Sequence, residues 1–157
     1  MTKAIRIHET GGPEVLRWED VEVGDPGDGE IRVRHTAIGL NYIDTYQRSG
    51  LYPLALPLTL GMEGAGVVEA TGANVSDLKQ GDRVAYASPP PGSYSEARII
   101  GADRVVKVPD GVDDNTAAAM MLQGMTAQYL IRQIHKVSAD DTILIHAAAG
   151  GVGSIVC

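Results

Sequence analysis

The stretch Ala147-Ala148-Ala149-Gly150-Gly151-Val152-Gly153, entered from the apolar run Thr142-Ile143-Leu144-Ile145-His146, constrains this chain more than any other. A strand running into a turn with glycine or alanine at three set positions lets a pyrophosphate approach the backbone and rest on the N–H groups of the next helix. Ala148, Gly150 and Gly153 hold those positions, so the literal G-x-G-x-x-G pattern is missed by one methyl group. A tight strand-to-helix turn packed with small residues gives the same pattern, and the upstream sequence decides between the two readings.

The chain ends at Cys157, just as the phosphate-bearing helix begins. A doubly wound domain needs further strand and helix units, and the residue that reads the adenosine ribose is due about 20 residues past the glycines. The nucleotide fold is therefore expected to be unfinished here, either because the chain is a fragment or because another chain supplies the rest. The 157 residues, 44% hydrophobic and 21% charged, are enough for one complete domain with its own core.

The net charge of -7 argues against a nucleic-acid surface, which needs clustered Lys and Arg to neutralise phosphates. One cysteine excludes an internal disulfide and a cysteine-rich zinc lobe, and fits a reducing cytoplasmic setting. Met1 to Glu9 alternates apolar and charged residues, unlike a signal peptide, and no apolar run is long enough for a membrane span.

Residues 1–122 read as short strands between turns. Ala4 to His8 alternates and ends at Gly11-Gly12-Pro13; Val15 to Trp18 starts another extended piece; Glu30 to Arg34 alternates strictly. Gly64 to Ala70, Arg83 to Tyr86, Tyr94 to Ile100 and Arg104 to Val108 complete a small barrel or sandwich. Asp113-Asp114-Asn115 then offers helix caps before the Ala- and Met-rich Thr116 to Met121. Gly124 is expected to break this helix, with Thr126 to Ile134 forming a second. Residues 123–157 thus read as a connecting helix, a first strand and the glycine turn of a Rossmann domain.

This order of elements, with particular residues in it, resembles the medium-chain dehydrogenase/reductase superfamily and its quinone oxidoreductase branch, which includes zeta-crystallin. The residues that carry the likeness are Gly12-Pro13-Glu14-Val15-Leu16, Gly39-Leu40-Asn41-Tyr42-Ile43-Asp44, Arg48-Ser49-Gly50-Leu51-Tyr52-Pro53, Gly61-Met62-Glu63-Gly64-Ala65-Gly66, Gly81-Asp82-Arg83-Val84, and His146 through Gly153. The resemblance implies a GroES-like β-rich barrel followed by the start of an α/β Rossmann domain. It also implies NADPH as cofactor, a quinone or enone as small-molecule substrate, and a homodimeric parent enzyme, the 157 residues alone being inactive.

Zinc-dependent relatives carry a cysteine where this chain has Asn41, a histidine where it has Met62, and a further ligand near Gln123. A catalytic zinc needs about three thiolate, imidazole or carboxylate ligands, and Asn, Met and Gln cannot supply them. Glu63 alone does not hold zinc, and His8, His35, His135 and His146 show no paired metal spacing. The expectation is no metal.

Without a Lewis acid the substrate must accept hydride unaided, as electron-poor quinones and conjugated enones do. The resemblance puts Asn41, Tyr42, Ile43, Asp44, Thr45 and Tyr46 at the nicotinamide end of the cofactor, with Thr126 and Tyr129 from the connecting helix and Ala148, Gly150, Gly151, Val152 and Gly153 at the pyrophosphate. Asn41, Tyr46 and Tyr52 are the candidate catalytic side chains. Simpler roles compete. Tyr42 reads best as a half-buried core residue, and Tyr46 and Tyr52 equally as core or site. Asp44 is as suited to capping a helix as to touching cofactor. Thr126 is as suited to bonding its own helix backbone. Met62 reads as apolar filler, and Cys157 as a buried helix residue. Alternative activities are an enone or enoyl reductase, or a non-catalytic crystallin-like or RNA-binding role that the acidic charge disfavours.

Overall fold

The computed structural model describes all 157 residues. The barrel is built from antiparallel strands in two sheets. The smaller joins β1 (Thr2–Ile7), β2 (Arg17–Val21) and β4 (Leu58–Thr59) in the order β2-β1-β4. The larger joins β3 (Glu30–Gly39), β5 (Glu63–Thr71), β6 (Arg83–Ala87), β7 (Ala97–Gly101) and β8 (Val106–Lys107) in the order β7-β3-β5-β6-β8. Alternation explains the inward face of β3: Ile31 and Val33 are buried while Arg32 and Arg34 turn outward, ion-paired to Glu69 of β5. Ile31, Val33, Val68, Val84, Tyr86 and Ile100 form the main core, and Ile7, Val15, Leu60 and Tyr94 a second. Each such aliphatic side chain contributes about 1.5–3 kcal/mol on burial.

Two register shifts, at Arg32/Val33 and His35/Ala37, bend the long β3–β5 pair and carry the end of β3 toward α1 (Tyr42–Ser49). Asn41 and Asp44 form a reciprocal capping box at its start. Gly50, at φ 81°, ends it in the left-handed conformation that lacks a penalty only for glycine.

The helix α2 (Asp114–Gln128) starts at Asp113, whose carboxylate accepts from the Thr116 N–H at 3.0 Å. Asp114 pins this end to the barrel by accepting from Arg83 and from Thr36 at 2.6 Å. Small residues set the contact: Ala117 and Ala118 pack on Ala65 of β5 and Ala85 of β6. Two sequence expectations fail here. Gly124 does not break α2, because packing overrides a single glycine's modest propensity cost. The second helical stretch is not separate: α2 passes straight into a π-helical turn over Tyr129–Ile134.

Thr142 to His146 forms no strand. A parallel strand is defined by neighbours on either side, and none lies beside this segment. Leu144 is 84% exposed as a result. The glycine turn follows and leads into α3 (Gly151–Val156). Cys157 is exposed rather than buried.

Candidate active site

The capping box brings polar side chains together beneath α1. The Asn41 N–H donates to Asp44 Oδ2 at 2.9 Å, and Tyr94 Oη donates to the same oxygen at 2.7 Å. Asn41 Nδ2 donates to Glu63 Oε2 at 2.8 Å, and the Leu122 N–H of α2 donates to Glu63 Oε1 at 2.6 Å. Asn41, Asp44 and Glu63 are all buried, at 8%, 3% and 1% exposure. Burial raises the pKa of Glu63, against the bonds from Asn41 and Leu122, and the Asp44 carboxylate adds to the rise. Burial likewise raises that of Asp44, against the donors Tyr94, Asn41 and Met62.

Asn41 and Met62, the positions that the resemblance sets against zinc ligands of other branches, are committed to bonds within the protein. Both Glu63 oxygens already accept hydrogen bonds, and Met62 is buried with its sulfur facing Gln47 Nε2 at 3.5 Å. No group of three His, Cys, Asp or Glu side chains converges anywhere in the chain.

The tyrosines lie at the surface. Tyr46 and Tyr52 meet edge to face, ring centroids 5.5 Å apart, and neither hydroxyl has a protein partner. Both are exposed, at 37% and 51%, with free hydroxyls. Tyr42 is 82% exposed and not the half-buried core residue expected, because it opens α1 on its outer face. Ile43 and Thr45 are partly buried, and Thr45 Oγ1 donates to the Tyr42 carbonyl at 2.7 Å. Tyr129 is half exposed at the end of α2. Thr126 Oγ1 donates to the Leu122 carbonyl at 2.7 Å, so its hydroxyl serves the helix backbone.

The glycine turn borders a cleft of about 550 Å³ lined by Leu130, Ile131, His146, Gly150 and Gly153 among others, to which Tyr42 alone of the α1 residues contributes. Its shape demands small residues. A Cβ on Gly153 would collide with the Ala147 carbonyl and the Ala148 backbone, and one on Gly151 with the Gln123 amide. Ala147 itself is left-handed at φ 53°, a position usually left to glycine or asparagine. The first N–H groups of α3 have no partner within the helix. The turn thus has the close-approach glycines and free donors that a pyrophosphate requires, and the residues present fit that group.

Sequence reasoning missed the part played by Glu63, weighed only as a lone metal ligand, and by Tyr94 and Gln123. The available signal was a charge set between glycines in an otherwise apolar strand, Gly61-Met62-Glu63-Gly64-Ala65-Gly66.

Two antiparallel sheets, a capped short helix and a long helix leading to a glycine turn define a β-rich GroES-like domain with a short C-terminal extension. The family model for the alcohol dehydrogenase GroES-like domain matches residues 27–139. Quinone oxidoreductase of Pseudomonas aeruginosa is 54% identical over all of this chain and 49% of its own length. A 2-haloacrylate reductase from Burkholderia is 49% identical over 99% of this chain and 49% of its own length. The crystal structure of Escherichia coli quinone oxidoreductase complexed with NADPH superposes with a TM-score of 0.96 at 46% identity, covering 99% of this chain and 48% of that one. The chain belongs to the alcohol dehydrogenase GroES-like family, in the quinone oxidoreductase branch of the medium-chain dehydrogenase/reductase superfamily. It spans about half the length of the curated relatives it matches. No helix is long and apolar enough to cross a membrane.

Proposed function

We propose that this chain supplies the substrate-side barrel and the opening of the nucleotide domain of a cytoplasmic, zinc-free, NADPH-dependent quinone reductase. The observation that carries the reading is the shared cleft: Tyr42, beside Asn41 at the start of α1, lines the same space as Gly150, Gly151 and Gly153. The two ends of one extended cofactor would be met there. On this reading residues 1–122 are the substrate domain and residues 123–157 the connecting helix and the first piece of the nucleotide domain, the division falling inside α2.

The first N–H groups of α3 would hold the pyrophosphate, and the glycines keep side chains out of its way. NADPH, when bound, supplies a hydride to the electron-poor ring of the substrate. Asn41 holds one Nδ2 hydrogen on Glu63 and has a second to donate to a ligand carbonyl. Tyr46 and Tyr52 present free hydroxyls to a quinone oxygen, and either could give the proton that accompanies two-electron reduction. The 157 residues alone, with Thr142 to His146 unpaired, are expected to turn over nothing, and a homodimeric parent remains part of the proposal.

A second reading, reduction of an activated alkene, is favoured by the likeness to the 2-haloacrylate reductase. The test is NADPH oxidation by a protein spanning the relatives' full length, with a simple benzoquinone and a 2-substituted acrylate supplied separately. Turnover of the quinone supports the first reading. Turnover of the acrylate alone replaces it with the second.

A further inference from the structure

Glu63 is buried where β5, the start of α1 and the middle of α2 meet, one residue from Tyr42 of the cleft through its partner Asn41. It belongs to β5, accepts from Asn41 Nδ2 at the start of α1, and accepts from the Leu122 N–H in the middle of α2. In a regular helix that N–H would serve the carbonyl four residues back, at Ala118. Space is reserved for the carboxylate: a Cβ on Gly39 would collide with Glu63 Oε2 and with the Ala118 carbonyl. The residue after Leu122 is Gln123, whose side chain packs against Gly151 in the glycine turn. One set of contacts therefore runs from Asn41 through Glu63 and Leu122 to Gln123 and Gly151.

The donor inventory makes a carboxylate necessary. Both partners of Glu63 are N–H donors, and an ionised carboxylate is the side chain of this size with an acceptor at each end. A glutamine there has one acceptor. The Leu122 N–H is fixed in the backbone and would claim it, leaving the glutamine Nε2 facing Asn41 Nδ2. Asn41 could answer only by turning its amide over, which presents Oδ1 to the glutamine and reverses the sense of the group it offers, the Asp44 N–H being held by the Asn41 backbone carbonyl at 3.0 Å. A glutamine at this position therefore leaves either its own Nε2 unmatched or the Asn41 amide reversed.

We propose that Glu63 is a positioning residue: its carboxylate fixes the sense of the Asn41 amide, so that the hydrogen bond offered to a ligand is a donated one, and through Leu122 holds the glycine turn in place against the barrel. The inference rests on the reading of this cleft as the ligand site, but its test does not require turnover. Amide hydrogen exchange and NMR shifts are measured on the 157-residue chain as wild type, E63Q, and the double variant N41D/E63Q. In the double variant the introduced glutamine would accept from Leu122 and donate to the introduced aspartate, so every group again has a matched partner.

The expected result is at least a tenfold loss of protection at the Leu122 amide in E63Q, with shifts at Asn41, Gln123 and Gly151, and recovery to within about threefold in the double variant, a tenfold change being about 1.4 kcal/mol. A purely space-filling Glu63 would show no such recovery, since the double variant keeps the same substituted side chain. A double variant no better than E63Q, or a Gly151 resonance that stays put in E63Q, overturns the proposal. Should E63Q fail to fold, the wild-type chain still decides: Asn41 Nδ2 protons that exchange as fast as a free amide would refute the pinned geometry. Quinone turnover by the full-length protein tests the proposed function separately.

Discussion

His35 makes the stability of the barrel depend on pH in a way that one substitution can isolate. Its Nδ1 lies 2.6 Å from the Ser95 carbonyl and its Nε2 2.7 Å from Tyr86 Oη. A carbonyl only accepts, so Nδ1 carries the proton, Nε2 is the bare nitrogen, and Tyr86 donates to it. Burial lowers the His35 pKa to about 4, helped by the Arg98 guanidinium, which lies 5.3 Å over the Tyr86 ring, while the Ser95 carbonyl works the other way. The unfolded chain binds the proton near pH 6.5 and the folded chain only near 4, so stability is full above pH 6.5 and is lost as the pH falls through that window. With about 1.36 kcal/mol per pH unit, the loss is about 2 kcal/mol by pH 5 and about 3 kcal/mol by pH 4. Asp44 and Glu63 act with opposite sign, since carboxyls with raised pKa values are protonated first in the folded state. They are unchanged in H35Q and cancel in the comparison. Urea unfolding at pH 7.5, 6, 5 and 4.5 should therefore show wild type losing about 2 kcal/mol more than H35Q between the first and third points. Parallel losses in the two proteins would mean that His35 titrates as a solvated imidazole and that the bonding scheme is wrong.

Other perturbations follow the same logic. Y94F removes the 2.7 Å donor to Asp44, whose Oδ1 already lacks a partner, and should cost about 1.5–3 kcal/mol in urea unfolding at neutral pH. Ile31→Ala, at the centre of the main core, should cost about 2–5 kcal/mol in the same assay. G153A forces the Ala147 carbonyl aside and should weaken NADPH binding by the full-length protein at least tenfold by fluorescence titration, with the barrel's stability unchanged. T126V loses only a bond to its own helix, so both stability, within about 0.5 kcal/mol, and NADPH affinity should hold; a tenfold fall in affinity would place that hydroxyl on the cofactor. Elemental analysis of the purified protein should find zinc well below one equivalent.

Much of the barrel was legible because strands of this kind write their burial into period two. Glu30 to Arg34 declares the first half of β3, but Thr36 to Gly39 keeps the same inward-outward alternation with small Ala37 and Gly39 inward and Ile38 exposed, so residue type no longer reports it. Leu58–Thr59 is too short to give a pattern of its own and is a strand only because β1 lies beside it. Thr142 to His146 shows the converse: its composition is that of a strand, yet strand geometry belongs to a pair and not to a segment. The Asn41–Asp44 cap could be read from spacing alone, being local. Glu63 could not, because its partners lie 22 and 59 residues away and only the tertiary fold brings them within bonding distance.

The unbroken run of α2 through Gly124 gives the chain a spacer of fixed length. One end is riveted to the barrel through Asp114, Arg83 and Thr36, and the other reaches Tyr129, past the Gln123 contact with the glycine turn. Its 15 residues measure about 22 Å at 1.5 Å per residue. Losing a single residue between Asp114 and Gln123 would draw the far end in by about 1.5 Å and swing it by about 100°. Length variation in this lineage should therefore be tolerated in the loops of the barrel and refused within this helix, which acts as the gauge that sets how large a molecule the cleft can span.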